Sequence, residues 1–409
     1  MDPDKKKLYR LPWSINESPI GWLEVTDICN ISCKGCYRSG RTGHKPLQQL
    51  KEEILFLKKW RNCNSISLAG GEAILHPSII GLISFIKDNG MKSILITNGC
   101  GLNEEKLAEM KSSGLTGVSF HIDSTQERPE FEGMENVSSE RLNEVRLRYA
   151  HMVDRVGELT TNFGITADDN NFENIPEFVQ WAANNSRVIN SITFITYRGL
   201  PVGNGLEYFA NGKKVDLKPG SLGYTISADE KEKISITSKD IYKTLKKHFP
   251  EYDANSYLGG TVDHTSFKWL LGNIILNSRS KMFGSYGKKS MEIVQTFYHL
   301  LFGTYIVHLR KRKIGKKVFI LALFDKPARK ALRKFIGYIL VNPMRLFYKI
   351  NILNIGIVQA PDLLPDGSID MCESCPDMCV YEGKLVQSCR LDEVIQYGSL
   401  LRVVKKSLP

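Results

Sequence analysis

Several things are missing from this sequence, and each absence removes a class of protein. No apolar stretch follows Met1-Asp2-Pro3-Asp4-Lys5-Lys6-Lys7, so the pattern of a secretory signal is lacking. No run is clean enough to span a bilayer: the charge-free stretch Ile293–Leu309 is short and carries Gln295, His299, Thr304 and His308. Internal repeats and low-complexity tracts are absent, as are RRM, KH and helix-turn-helix signatures, so no nucleic-acid partner is expected. Acids are almost missing from one segment. Between Ser280 and Lys349 only Glu292 and Asp325 stand against 16 lysines and arginines, which makes the segment +14. The whole chain is +11, so the remainder sums to −3. A basic balance confined to one segment points to a local anionic partner, such as a membrane surface or a charged substrate.

What is present fits a soluble globular chain. With 409 residues, 42% hydrophobic and 24% charged, it can bury an α/β domain and a second unit. Nine cysteines without an export signal imply a reducing, cytoplasmic setting, where clustered thiols hold metal more often than they form disulfides. Cys63 and Cys100 stand alone and read as small buried hydrophobes.

From Gly21 to Arg198, short β-rich runs alternate with amphipathic helices. Strands are expected at 22–28, 65–69, 92–97, 115–123, 158–165 and 188–197. Helices are expected at 50–60, 77–87, from the Asn103 cap onward, at 139–156 and at 174–184. Successive βα units require a parallel sheet, and six of them suit an open partial (βα)6 TIM-like barrel with its functional groups at the C-terminal strand ends. Residues 199–265 are Gly-rich and polar and are expected to be irregular; apolar helices return from Lys268. Asp325 is expected to cap a helix through about Leu340, with Leu332, Phe335, Ile336, Ile339 and Leu340 on one face and Arg329, Lys330, Arg333 and Lys334 largely opposite. That pattern suits either an interfacial basic helix or a helix packed on its own core. Residues 350–359 read as a strand leading to the C-terminal cysteines. The expected organisation is a barrel over 15–198, a helical insertion over 199–349 and a small Cys-rich domain over 350–409.

Cys29-x3-Cys33-x2-Cys36 places three soft thiolates on one loop after the first strand. Three is the informative count, because a structural zinc site closes with four ligands, whereas a [4Fe–4S] cluster on three thiolates keeps one iron open. Gly70-Gly71-Glu72 ends the second strand. Together these motifs resemble the radical S-adenosylmethionine (SAM) superfamily. The resemblance implies that Cys29, Cys33 and Cys36 hold a [4Fe–4S] cluster and that Gly70, Gly71 and Glu72 meet the SAM amino group. It also implies reductive cleavage of SAM to a 5′-deoxyadenosyl radical that modifies an unactivated carbon, with electrons from a flavodoxin- or ferredoxin-like donor. Asn98 in Thr97-Asn98-Gly99 resembles a common third-strand ending of the family. His121, in Phe120-His121-Ile122-Asp123, stands where many relatives carry serine, and is either a ribose contact or a satisfied core histidine. The family usually has an aromatic before the third cysteine; here that residue is Gly35. Tyr37 then supplies either the adenine contact or packing.

Cys372-x2-Cys375-x3-Cys379-x9-Cys389 forms a second group in a turn-rich segment. The residues alone suit a closed zinc or rubredoxin-like site, since four cysteines suffice for either. The resemblance, to twitch and SPASM extensions, implies a second [4Fe–4S] cluster, closed if Cys379 ligates and open if it does not. Cys372, Cys375 and Cys389 also match the spacing in the molybdenum-cofactor enzyme that cyclises GTP. That enzyme's Gly-Gly tail is missing after Lys406-Ser407-Leu408-Pro409, so GTP is not carried over. The basic apolar segment makes a lipid or long-chain substrate the first expectation, with peripheral contact at the inner face of a membrane. A peptide substrate is the alternative, and a non-catalytic Fe–S or zinc protein is the reading from another class.

Overall fold

The computed structural model describes every residue except Met1, 39–42, 135–136, 204, 228–234, 309–314 and 406–409. Six parallel strands stand side by side in chain order: β1 (Ile20–Thr26), β2 (Ser65–Gly70), β3 (Lys92–Thr97), β4 (Leu115–His121), β5 (Thr160–Ala167) and β6 (Ser191–Thr196). Between them lie α1 (Leu47–Arg61), α2 (Ile79–Asp88), α3 (Glu104–Ser113), α4 (Ser139–Val156) and α5 (Ile175–Asn184). Right-handed crossovers between sequential neighbours put every helix on the same face. A doubly wound sheet would need the order to reverse, and here it does not. The sheet therefore curls with its other face inward. It stays open, as a partial barrel. β3 and α4 fall where the sequence places them, and Asn103 caps α3 by accepting from the Lys106 amide. The other elements shift by a few residues, the usual scatter of helix and strand ends.

Alternation along the strands sorts the two faces. Leu68, Leu95, Val118, Phe120, Phe163 and Phe194 point outward and bury against the helices. Each such side chain contributes roughly 1.5–3 kcal/mol of hydrophobic stabilisation. Their strand neighbours, among them Ser67, Ser119, Asn162 and Thr193, face the concavity.

Beyond β6 the structure departs from expectation. Residues 199–265 are not irregular throughout: they include α6 (Ser238–His248) and β7 (Asp253–Leu258). The start of α6 is fixed by a capping box of Thr237 and Asp240. Where apolar helices were expected from Lys268, the chain forms β8 (Trp269–Asn277). β8 is buried on both faces, so its sequence lacks the two-residue alternation that marks a strand. β9 (Ile350–Gln359) pairs in parallel with β6, and β8 and β7 follow it antiparallel, so the barrel sheet continues past six strands.

Helices α7 (Lys288–Phe302) and α8 (Lys326–Val341) close the end of the barrel where the parallel strands begin. Lys92, the first residue of β3, donates to the His308 carbonyl (2.8 Å), and Asn62, ahead of β2, donates to the Gly303 carbonyl (2.6 Å). The Ser278 amide, just after β8, donates to the Lys349 carbonyl (2.8 Å), just before β9. Asp325 caps α8 as expected, accepting from the Ala328 amide. The buried stripe is Ala328, Ala331 and Phe335, whereas Ile336 and Leu340 of the expected face are exposed. The block Arg310–Lys313 lies outside the described residues. No described helix is long and apolar enough to cross a membrane. After β9 the cysteine-rich residues form a hairpin, β10 (Met378–Tyr381) and β11 (Lys384–Gln387), then α9 (Leu391–Tyr397). This unit covers the free edge of β1, where Trp22 packs against Cys379, Val386 and Leu391.

Candidate functional site

The two loops singled out by sequence are stitched together. The Gly71 amide donates to the Thr26 carbonyl (2.7 Å) and the Glu72 amide to the Ile28 carbonyl (2.8 Å), so the loop after β2 lies along the start of the Cys29 loop. Glycine is required for this approach. A Cβ on Gly71 would sit 2.6 Å from the Ile28 carbonyl carbon, and Gly70 combines a φ of +123° with backbone packed against Thr26. The far side of the cysteine loop is held by a two-residue ladder, Ser32–Cys33 against Gln126–Glu127.

Glu72 is fully buried, and its carboxylate accepts from Thr97 Oγ1 (2.8 Å), the Asn98 amide (2.7 Å) and the Ile74 amide (3.1 Å). Burial nevertheless raises its pKa. Glu72 thus fixes the end of β3, and from there the Asn98 side-chain amide reaches Cys29 Sγ (3.7 Å) and Asn30 Oδ1 (2.9 Å). Arg128, which sequence reasoning missed, is buried and donates to the Asn98 carbonyl (2.7 Å).

Tyr37 turns inward, its hydroxyl donating to Glu24 (3.2 Å). The aromatic neighbour of the third cysteine comes from elsewhere. Gly35 has φ +74°, and a Cβ there would overlap the ring of Tyr197, which follows β6. No local sequence signal marks Tyr197, since its partner lies on the first loop. His121 Nε2 lies 2.8 Å from Asp123 Oδ2 and 3.1 Å from Thr166 Oγ1. Burial alone would lower the His121 pKa, but Asp123 raises it; the same pairing, with donors from Thr125 and Thr166, lowers Asp123.

Burial and the neighbouring Cys36, Asp123 and Cys29 push Cys33 up to about 12. Thiols so placed ionise when a cation compensates them. Among the described residues no three Cys, His, Asp or Glu side chains converge tightly enough for a single ion. Three thiols on one loop suit a cluster, which takes one thiolate at each of several irons.

In the second group the cysteines divide. Cys372 hydrogen-bonds Cys375, and Cys389 feels Cys375 electrostatically. Cys379 packs instead with Val386 and Leu391 and donates to the Val386 carbonyl (3.5 Å). Buried Arg61, at the end of α1, donates to the Cys375 carbonyl (2.9 Å). The two groups are joined by Arg38, whose guanidinium meets Glu24 (3.4 Å), Asp27 and Asp392, the last three residues beyond Cys389.

Comparison with known proteins bears on the first group. The pattern of the radical SAM superfamily matches residues 23–182. The chain carries a radical SAM domain. Members of this family use a [4Fe–4S] cluster and SAM. The chain is 31% identical over 105 residues to a probable GTP 3′,8-cyclase of Methanocaldococcus jannaschii, covering 25% of this chain and 35% of that protein. It is 25% identical over 194 residues to an AdoMet-dependent heme synthase of Methanosarcina barkeri, covering 46% and 52%. It thus spans about a third of the length of the first curated relatives it matches. Streptococcus suis SuiB bound to S-adenosylmethionine is similar at 15% identity and a TM-score of 0.36, over 45% of this chain and 42% of that one. The radical SAM domain thus includes the Cys29 loop, the Gly70–Glu72 loop, Asn98 and His121.

Proposed function

We propose that Cys29, Cys33 and Cys36 hold the [4Fe–4S] cluster and that Gly70, Gly71, Glu72, Asn98 and His121 order SAM beside it. The observation that carries this reading is the pair of hydrogen bonds joining the loop after β2 to the cysteine loop after β1. When bound, the cluster and SAM supply an electron and a 5′-deoxyadenosyl radical, which takes hydrogen from, or adds to, an unactivated carbon. The residues of this chain do the positioning. Glu72 pins the end of β3, Asn98 holds Cys29 in place, and His121, paired with Asp123, presents a hydrogen-bonding edge at the end of β4. Anaerobic reconstitution followed by a dithionite assay for 5′-deoxyadenosine tests the reading. Cys33→Ala is expected to abolish cleavage; cleavage retained in that variant refutes the assignment.

The second site is an auxiliary [4Fe–4S] cluster on Cys372, Cys375 and Cys389, with Cys379 as a packing residue. The separate burial of Cys379 supports this, and so does its bond to the Val386 carbonyl. About eight irons per chain are expected, against about four if only one cluster forms. Cys379→Ser keeps them; a loss of half the iron in that variant makes Cys379 a ligand.

The concave face bears on substrate. Asn162 donates to Ser119 Oγ (2.7 Å) and accepts from Thr193 (3.2 Å), and solvent reaches all three. Hydroxyls and amides there suit a substrate that carries amide or hydroxyl groups. This favours the peptide reading over the lipid one, because the apolar basic helices sit at the opposite end of the barrel. Asn162→Leu is expected to lower turnover of substrate while leaving SAM cleavage intact.

A further inference from the structure

The helices at the end of the barrel remote from the cofactor loops carry exposed apolar side chains that the chemistry does not use. On α7 the exposed side chains include Phe297, Leu300, Leu301 (73%) and Phe302. On α8 and the turn after it they include Leu340 (75%), Val341, Met344 and Phe347 (77%). Both helices are rooted at one point, where buried Asp325 caps α8 and accepts from the Gly287 amide (2.7 Å) at the start of α7. Large apolar side chains exposed together on neighbouring elements mark a protein or membrane interaction site.

The surrounding charge says what covers them. Lys316, Lys317, Lys330, Arg333 and Lys349 are exposed on the same segment; of its two acids, Asp325 is buried in its cap and Glu292 is exposed on α7. A second copy of the chain would set these exposed cations against their own equals, which repel one another. Nucleic acid would satisfy the cations but leave aliphatic Leu340, Val341 and Met344 uncovered. An anionic bilayer satisfies both, with the apolar chains in the acyl boundary and the lysines and arginines among the headgroups.

We infer that α7, α8 and the turn at 343–347 form a docking face for an anionic lipid surface, with the SAM site presented on the opposite side. The face works as an anchor, not as a channel for substrate.

The test is co-sedimentation of the reconstituted full chain with vesicles of phosphatidylcholine mixed with phosphatidylglycerol, and with phosphatidylcholine alone. Binding to the mixed vesicles is expected, with weakening as salt rises and little binding to phosphatidylcholine. Leu340→Ser combined with Phe347→Ser is expected to weaken binding by about tenfold or more while 5′-deoxyadenosine formation and iron content stay unchanged. Leu301→Ser tests α7 in the same way. No binding to anionic vesicles overturns the inference. So does equal, salt-insensitive binding to both vesicle types. A stable dimer that Leu301→Asp dissolves assigns the patch to a second copy and overturns it as well.

Discussion

At the residue scale, backbone clearance decides more than side-chain chemistry. Gly71→Ala puts a methyl 2.6 Å from the Ile28 carbonyl carbon, where only backbone could move. The expected result is loss of iron from the first site with the circular dichroism spectrum retained; normal iron loading would show that the two loops need not touch. Tyr197→Leu is expected to weaken SAM binding several-fold and Tyr37→Phe to leave it unchanged, since Tyr37 is turned toward Glu24. Equal effects in a binding titration would refute that distinction. Charge adds a pH window. The His121 pKa is raised in the fold, so its pairing stabilises fully below its ordinary 6.5 and is lost as pH climbs through the raised value. Asp123 is lowered, so its share is present above 3.8 and lost only as pH falls through the depressed value. His121→Asn is expected to flatten the thermal midpoint between pH 6 and 9, roughly; an unchanged slope would mean the pair does not set it. The spacing of the cysteines and Gly70–Glu72 was legible in sequence because each set is local. Tyr197 and Arg128 were not, because their partners are distant in the chain and close only in the fold.

At the scale of elements, legibility followed periodicity. The βα repeat through β6 was readable because each strand buries one face under a helix and each helix carries one apolar stripe. β8 was misread because burial on both faces removes the alternation, and α6 because its cap lies in a polar, Gly-rich stretch. The Asp325 cap was readable, but not that one carboxylate serves two helices. Its Oδ2 accepts from the Gly287 amide (2.7 Å) and the Ala328 amide (3.1 Å) in a buried setting. Asp325→Ala leaves both donors without an acceptor and is expected to cost about 3 kcal/mol. A urea titration reading less than about 1 kcal/mol would mean that water replaces the carboxylate.

At the scale of the molecule, the two cysteine groups are parts of one assembly, joined through Arg38. Its guanidinium, 5% exposed, faces Glu24 on β1, Asp27 on the first cysteine loop and Asp392 on α9, and its carbonyl accepts from Cys36. One cation among three carboxylates is tolerable in a buried site only if the planar fork serves several of them at once. Burial raises the Glu24 pKa, which eases the charge imbalance. Lysine keeps the charge but loses the fork, so Arg38→Lys separates geometry from electrostatics. It is expected to lower the thermal midpoint and to reduce iron at both cysteine groups, because neither loop keeps its anchor. Arg38→Met, which strands the carboxylates, is expected to cost about 3–5 kcal/mol and to be the more severe. Asp392→Asn releases only α9, so it should lower iron at the C-terminal group while 5′-deoxyadenosine formation survives. If Asp392→Asn instead silences SAM cleavage with iron intact, the C-terminal unit acts on the first site itself, and the link through Arg38 carries function as well as stability.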